Sequence, residues 1–297
     1  MLELKNGRHR LTLLPETGGA IGQWQVDGCD MFFPLANPNL RAQQGVEVGA
    51  YPLVPYSNRI AHGAFSFGGE EFQLSPNMTG ETHPIHGNGW ENAWRVMHQG
   101  EAHAVLVFDH TPEEGEQNDP HWPFAYRAVL SYALQGDQLD VSIVVENRDS
   151  REQPVGLGFH PYVTVGEGTT LSFDAKYVWL TDEEKLPKEA KPCEGDWSFH
   201  KPKEISECSI DNGFGGFSGK AFVKHTDSLP NLTIEADPIF EHFVVFSQPK
   251  SGFVGLEPVT NMTDAINRPT VAKRGIHVLK PGQRVGGNMH FRPSDGR

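Results

Sequence analysis

Apolar and polar residues alternate with a period of two through much of the chain, most cleanly between Trp94 and Glu146. Phe124, Tyr126, Ala128, Leu130, Tyr132 and Leu134 fall on one side of a strand. Leu139, Val141, Ile143 and Val145 fall on one side of its partner, across the turn Gly136-Asp137. Runs this long at period two predict antiparallel strands with one face on a core. Residues 1–5 read as a short strand. Residues 8–26 read as strand, turn, strand about Pro15-Glu16-Thr17-Gly18-Gly19, and a second turn at Asp27-Gly28 precedes Met31-Phe32-Phe33. Residues 64–67 and 70–74 flank Gly68-Gly69, a two-residue hairpin loop of the kind that needs positive φ. Further strands are predicted at 138–146, 170–173, 177–180, 221–225, 232–236 and 243–247, with a last one near 289–291.

The intervening stretches lack this pattern. Residues 34–50 read as irregular. In 51–60 two prolines argue against a regular helix or a central strand, which places Asn58 and Arg59 on an ordered loop. Residues 82–90 and 156–162 read as glycine- and proline-rich loops, the second holding His160 at a strand end. Residues 182–206 read as a charged surface excursion. Residues 252–258 end at Pro258, and an irregular or briefly helical piece follows through Ile266. Nowhere is a 3.6-residue period sustained, and no internal repeat or low-complexity linker interrupts the chain. The expectation is all-β: one antiparallel β-sandwich-like domain over residues 1–297.

Composition agrees. Gly 32 and Pro 22 suit many short strands joined by turns, and a hydrophobic fraction of 37% supplies a substantial core. The formal charge of -13 leaves no basic stripe to neutralise phosphates, so nucleic acid is not an expected partner. Cys29, Cys193 and Cys208 are odd in number and lack metal-ligand spacing, which points to reduced thiols. The N-terminus has no apolar signal core, and no run of about 18 apolar residues occurs. A soluble cytoplasmic protein is expected, with no membrane partner.

Four sites hold polar residues in apolar, glycine- or proline-punctuated settings: Asn58-Arg59, His83 with His86, His160, and Glu257. A carboxylate between Leu256 and Pro258, at the end of an apolar strand, costs several kcal/mol to bury unless it is paired or used. A stiffly held histidine and a carboxylate make a complementary acid/base pair. Arginine and asparagine supply donors for hydroxyl oxygens, and Trp90, Trp94 and Tyr162 offer flat faces to a sugar ring. His83-Pro84-Ile85-His86 raises a metal reading, but it lacks a third ligand and the proline restricts its geometry. No dinucleotide fingerprint, phosphate loop or nucleophile elbow is present, so no cofactor is expected. A non-catalytic carbohydrate-binding sandwich and a glycoside hydrolase with two carboxylates both remain open on these residues.

Taken together, Asn58-Arg59-Ile60, His86-Gly87, Gly158-Phe159-His160-Pro161-Tyr162, Ile210-Asp211-Asn212-Gly213-Phe214 and Leu256-Glu257-Pro258 resemble, in order, the motifs of the aldose 1-epimerase (galactose mutarotase) family. The resemblance runs over nearly the whole chain. It implies the family's large antiparallel supersandwich and interconversion of the α and β anomers of an aldose. It further implies His160 as general acid, Glu257 as general base, Asn58, Arg59, His86 and Asp211 as substrate-binding residues, and no metal. A small sugar is the expected ligand, and the chain is expected as a monomer or homodimer. An anionic sugar would need a further cation in the pocket, for which Lys185, Arg148, Arg268 and Lys273 are the candidates. Arg268 lies nearest the Glu257 stretch in sequence, but reads as a solvated loop residue.

Overall fold

The computed structural model describes residues 1–34, 49–112, 120–226 and 228–295, so most of the stretch expected to be irregular at 34–50 lies outside the described residues. Strands, numbered β1 to β24 along the chain, make up nearly all the regular structure. They assemble chiefly into two antiparallel sheets. The nine-stranded sheet contains β20 (Asn231–Ala236), β24 (Arg284–Ser294), β11 (Gln138–Asn147), β10 (Tyr126–Gln135) and β9 (His103–His110) as successive neighbours. The β10–β11 hairpin pairs from Tyr126 opposite Asn147 to Gln135 opposite Gln138 and buries alternate residues, as the periodicity predicts. The small hairpin of β6 (Ala64–Phe67) and β7 (Glu70–Gln73) likewise forms about Gly68-Gly69.

The eleven-stranded sheet carries, in order, β3 (Ala20–Val26), β5 (Ala50–Leu53), β13 (Gly158–Thr164), β22 (Phe253–Val259), β21 (His242–Ser247), β18 (Ile210–Gly215), β15 (Tyr177–Thr181) and β16 (Pro187–Pro192). Its inner face packs on the other sheet: Phe159 of β13 meets Tyr132 and Phe291, with ring centroids 6.2 and 6.1 Å apart. Its outer face is covered as well, by a smaller apolar cluster that includes Tyr51, Trp90, Tyr162, Val244 and Phe253. A strand buried on both faces shows no alternation. That is why β13 and β22, buried along almost their whole length, are among the strands the period-two pattern does not reveal.

Three expectations are corrected here. His160 is not at a strand end or on a loop but inside β13, between β5 and β22. The 51–60 stretch does begin with a central strand, β5, despite Pro52; its ladder to β3 consists of Ile21 opposite Ala50 alone and stops before the proline. Residues 182–206 are not merely a surface excursion, because β16 returns along β15 and extends the sheet. Among the described residues no helix is long and apolar enough to cross a membrane. The three cysteines are free thiols.

Candidate active site

Strand register places the central pair. Gly158 lies opposite Val259 and Tyr162 opposite Gly255, so in the same antiparallel register His160 stands opposite Glu257. Directly opposed residues point to the same face with their Cβ atoms about 5 Å apart, and here His160 Nε2 lies 3.1 Å from Glu257 Oε1. The ladder between β13 and β22 is missing from Phe159 to Pro161. Proline supplies no N–H, so Pro161 opens a gap in the ladder beside the pair rather than ending the strand. On its other side His160 is opposite Tyr51 of β5, and the two rings stack at 4.9 Å. Two residues along, the next row on that face runs Tyr162, Gly255, Phe246, Asp211 across β13, β22, β21 and β18. Gly255 leaves room for the imidazole, since a Cβ there would lie 3.1 Å from His160 Cε1.

These two rows floor a cavity of about 260 Å³ that Asn58, Arg59, His86 and Lys185 help to wall. The wall is built by two loops locked to each other. The His86 N–H donates to the Asn58 carbonyl, and the Asn58 N–H donates to His86 Nδ1, both at 3.1 Å. Both residues hold left-handed φ, 60° for Asn58 and 65° for His86. Gly87 follows at φ 69°, where a Cβ would lie 2.1 Å from the Val54 carbonyl oxygen, so only glycine fits. Because Nδ1 of His86 accepts, its proton sits on Nε2 in the neutral ring. Burial, then the neighbouring His160 and Arg59, hold that ring well below the usual imidazole range.

Arg59 is gripped by Glu81, whose carboxylate takes Nε–H and Nη2–H, both at 2.8 Å. Such a bidentate pair fixes a guanidinium plane as well as its charge. Asn58 Oδ1 accepts the Arg59 backbone N–H at 2.9 Å, so its carboxamide organises the loop as well as lining the cavity. Asp211 lies 4.0 Å from Arg59 Nη2 and 3.0 Å from Lys185 Nζ. It sits on the strand β18.

Burial drives both members of the central pair toward neutrality. The Glu257 carboxyl is pushed well above the usual carboxylate range by desolvation and then by Asp211, with Arg59 opposing. Desolvation pushes the His160 imidazole down to about 3. Glu257 Oε2 and His160 Nδ1 are buried without a hydrogen-bond partner. The pair thus shares a single exchangeable proton. Placed on Glu257, it leaves two neutral groups; moved across the 3.1 Å contact, it gives a carboxylate and an imidazolium.

His83 and His86 do not converge. His83 groups with His62 and Glu184, whereas His86 groups with His160 and Glu257. In each group the buried loop histidine uses Nδ1 to accept a backbone N–H, from His62 at 3.0 Å and from Asn58 at 3.1 Å. Its Nε2 therefore carries the proton, whereas a metal-ligating imidazole normally donates from its second nitrogen. The donor sets do not suit a metal. Trp90 and Trp94 are not cavity walls either. Both are almost fully buried and donate their indole N–H to backbone carbonyls of residues 85, 87 and 89. The aromatic residues that line the cavity are Tyr51, Tyr162 and Phe246. Of the four candidate cations, Lys185 lines the cavity, while Arg148 pairs with Glu146, Arg268 with Asp264 and Lys273 with Glu241. Glu81, Tyr51 and Phe246 were missed by sequence reasoning. Glu81 carries no local signal, and the two aromatics are revealed only by register.

The fold is that of a large antiparallel β-sandwich. The chain belongs to the aldose 1-epimerase family, whose sequence profile, described as Aldose 1-epimerase, matches residues 1–292. It is 26% identical to the uncharacterized protein YphB of Escherichia coli K12, over 97% of each chain. It is 24% identical to the aldose 1-epimerase of the same organism, over 62% of this chain and 53% of that one. The crystal structure of a candidate aldose 1-epimerase from Escherichia coli K12 superposes with a TM-score of 0.87 at 25% identity, covering 99% of this chain and 98% of that one.

Proposed function

We propose that the protein is an aldose 1-epimerase that equilibrates the α and β anomers of a neutral aldose. The observation that carries this reading is the His160–Glu257 pair, opposed in register, 3.1 Å apart and buried at the cavity floor. In its proton-transferred form the pair holds a base and an acid side by side. Glu257 removes the proton of the anomeric hydroxyl as the bond from the anomeric carbon to the ring oxygen breaks, and His160 delivers its proton to that oxygen. The C1–C2 bond rotates, the carbonyl presents its other face, and the protons return on reclosure. Each group serves as donor in one direction and acceptor in the other, which a nearly thermoneutral reaction requires. The Nε2–H of His86 and the guanidinium of Arg59 are the proposed donors to the ring-oxygen region, where charge develops. Asn58 and Asp211 serve the hydroxyls.

Charge balance favours a neutral sugar over an acid, phosphate or sulfonate. Arg59 and Lys185, the cavity's cations among the described residues, each face a carboxylate already. An anionic substituent would have to displace Glu81 or Asp211 from its partner. The test is polarimetry on freshly dissolved single anomers of neutral and anionic aldoses. Acceleration confined to neutral aldoses is the expected result. Sugar binding without acceleration would point instead to a carbohydrate-binding protein.

A further inference from the structure

The turn between β15 and β16 reaches back over the sheet and places Lys185 on the cavity wall. It is a built turn. Asp182 Oδ1 accepts the N–H of Glu184 at 3.0 Å and of Leu186 at 2.9 Å. The Asp182 carbonyl accepts the Lys185 N–H at 3.1 Å, and the Asp182 N–H donates to the Leu186 carbonyl at 3.0 Å. Leu186 and Pro187 anchor the turn by burial. Lys185 itself holds φ 61°, a left-handed backbone that a lysine adopts at some cost, and such strain concentrates at functional positions. Its Nζ comes to rest 3.0 Å from Asp211 Oδ2.

Side-chain exposure orders the cavity from floor to mouth. It is 5% and 3% for His160 and Glu257, 27% for Asp211 and 48% for Lys185. A sugar whose anomeric carbon and ring oxygen meet the floor therefore presents its far hydroxyls to the Lys185–Asp211 pair. An ammonium and a carboxylate 3.0 Å apart can both reach one hydroxyl, the carboxylate accepting its proton and the ammonium donating to its oxygen. That pairing fixes the hydroxyl's position more tightly than either group alone.

We infer that Lys185 is a specificity-determining residue, reading with Asp211 one hydroxyl of the aldose remote from the anomeric centre. The inference rests on the proposed epimerase reading, and it adds a residue from a turn that carries no recognisable site motif. The experiment compares wild type with Lys185→Met, Asp211→Asn and the double variant. The sugar is the best neutral substrate, tested beside its single-deoxy analogues that lack each remote hydroxyl in turn. Turnover is followed by polarimetry, and binding separately by NMR titration of the protein with each sugar. Lys185→Met is expected to weaken apparent affinity for the parent sugar about tenfold, the size of a lost charge-assisted hydrogen bond, with most of the loss in KM rather than kcat. One deoxy analogue should lose discrimination, being bound equally by wild type and variant. The double variant should cost less than the sum of the singles. Lys185→Arg, which keeps the donor, should recover part of the affinity. Unchanged affinity and an unchanged deoxy pattern in Lys185→Met would overturn the inference. Should wild type bind sugar but not accelerate mutarotation, the epimerase reading falls, and the binding arm still decides the role of Lys185. Should wild type bind none of the sugars, both fall.

Discussion

His160 and Glu257 hold one exchangeable proton between them, and that sets both what the pair can do and when it stops working. Removing either partner leaves the other buried and alone. Glu257→Gln and His160→Asn keep the shape and are each expected to lower kcat by about 10²–10⁴-fold, the usual share of positioned acid/base catalysis, while thermal melting shows the fold retained. A Glu257→Gln variant with near-normal turnover would remove the assigned base. The pH dependence has a definite sign. The working one-proton form is lost on the acid side only when His160 gains a proton, near its depressed value of about 3. It is lost on the alkaline side when the shared proton leaves, governed by the raised Glu257. These limits belong to the pair rather than to either residue. The kcat profile should therefore show no acid limb in the ordinary imidazole range near 6.5. An acid limb centred there would mean that His160 titrates as a free imidazole, contrary to this pairing.

At the scale of elements, the site depends on two strands holding register and two loops holding left-handed backbone. Gly255→Ala would put a methyl 3.1 Å from the His160 ring and 3.2 Å from Phe246 Cβ, so the ring must give by a few tenths of an ångström. About a tenfold loss of kcat is expected with little change in melting temperature, because small misplacements of a reacting group are costly. Gly87→Ala is different in kind. Its methyl would meet the Val54 carbonyl at 2.1 Å, so the loop carrying His86 must move. Both melting temperature and kcat should fall, and a loss confined to KM, with full turnover at saturating sugar, would contradict the proposed role of the loop. Legibility in the sequence follows the same division. The β10–β11 hairpin was readable because one face alternates against the core. β13 was not, because both its faces are covered and Pro161 imitates a strand end. Arg59, His86, His160, Asp211 and Glu257 were found as motif residues, and the structure brings all of them to one cavity. Glu81 and Lys185 needed the fold: one reaches Arg59 across 22 positions of sequence, the other lies on a turn whose aim is set by strand pairing.

For the whole molecule, a sandwich core with a second apolar cluster on its outer face lets a site made of ionisable groups be almost dry. Dryness has a cost in acid. His160 stays neutral in the fold down to about 3, whereas in the unfolded chain it takes a proton below about 6.5. Its contribution to stability is present above 6.5 and is lost as pH falls toward 3. The decline in unfolding free energy that His160 causes, partly offset by the raised Glu257 carboxyl, is read by denaturant titration through this window. The decline should be shallower in His160→Asn by up to about 1.4 kcal/mol per pH unit. Identical slopes would mean that the ring already takes up its proton in the folded state.

The central claim is that a buried imidazole–carboxylate pair opens and closes an aldose ring. Saturation transfer between the two anomeric proton signals of an equilibrated aldose reads that exchange directly, with no net reaction to follow. Wild type should transfer saturation between anomers at catalytic protein concentration, and Glu257→Gln, at the same concentration and equally folded, should return the exchange to the rate in buffer. Equal exchange by the two proteins, or none by wild type on any aldose that it binds, would contradict the claim.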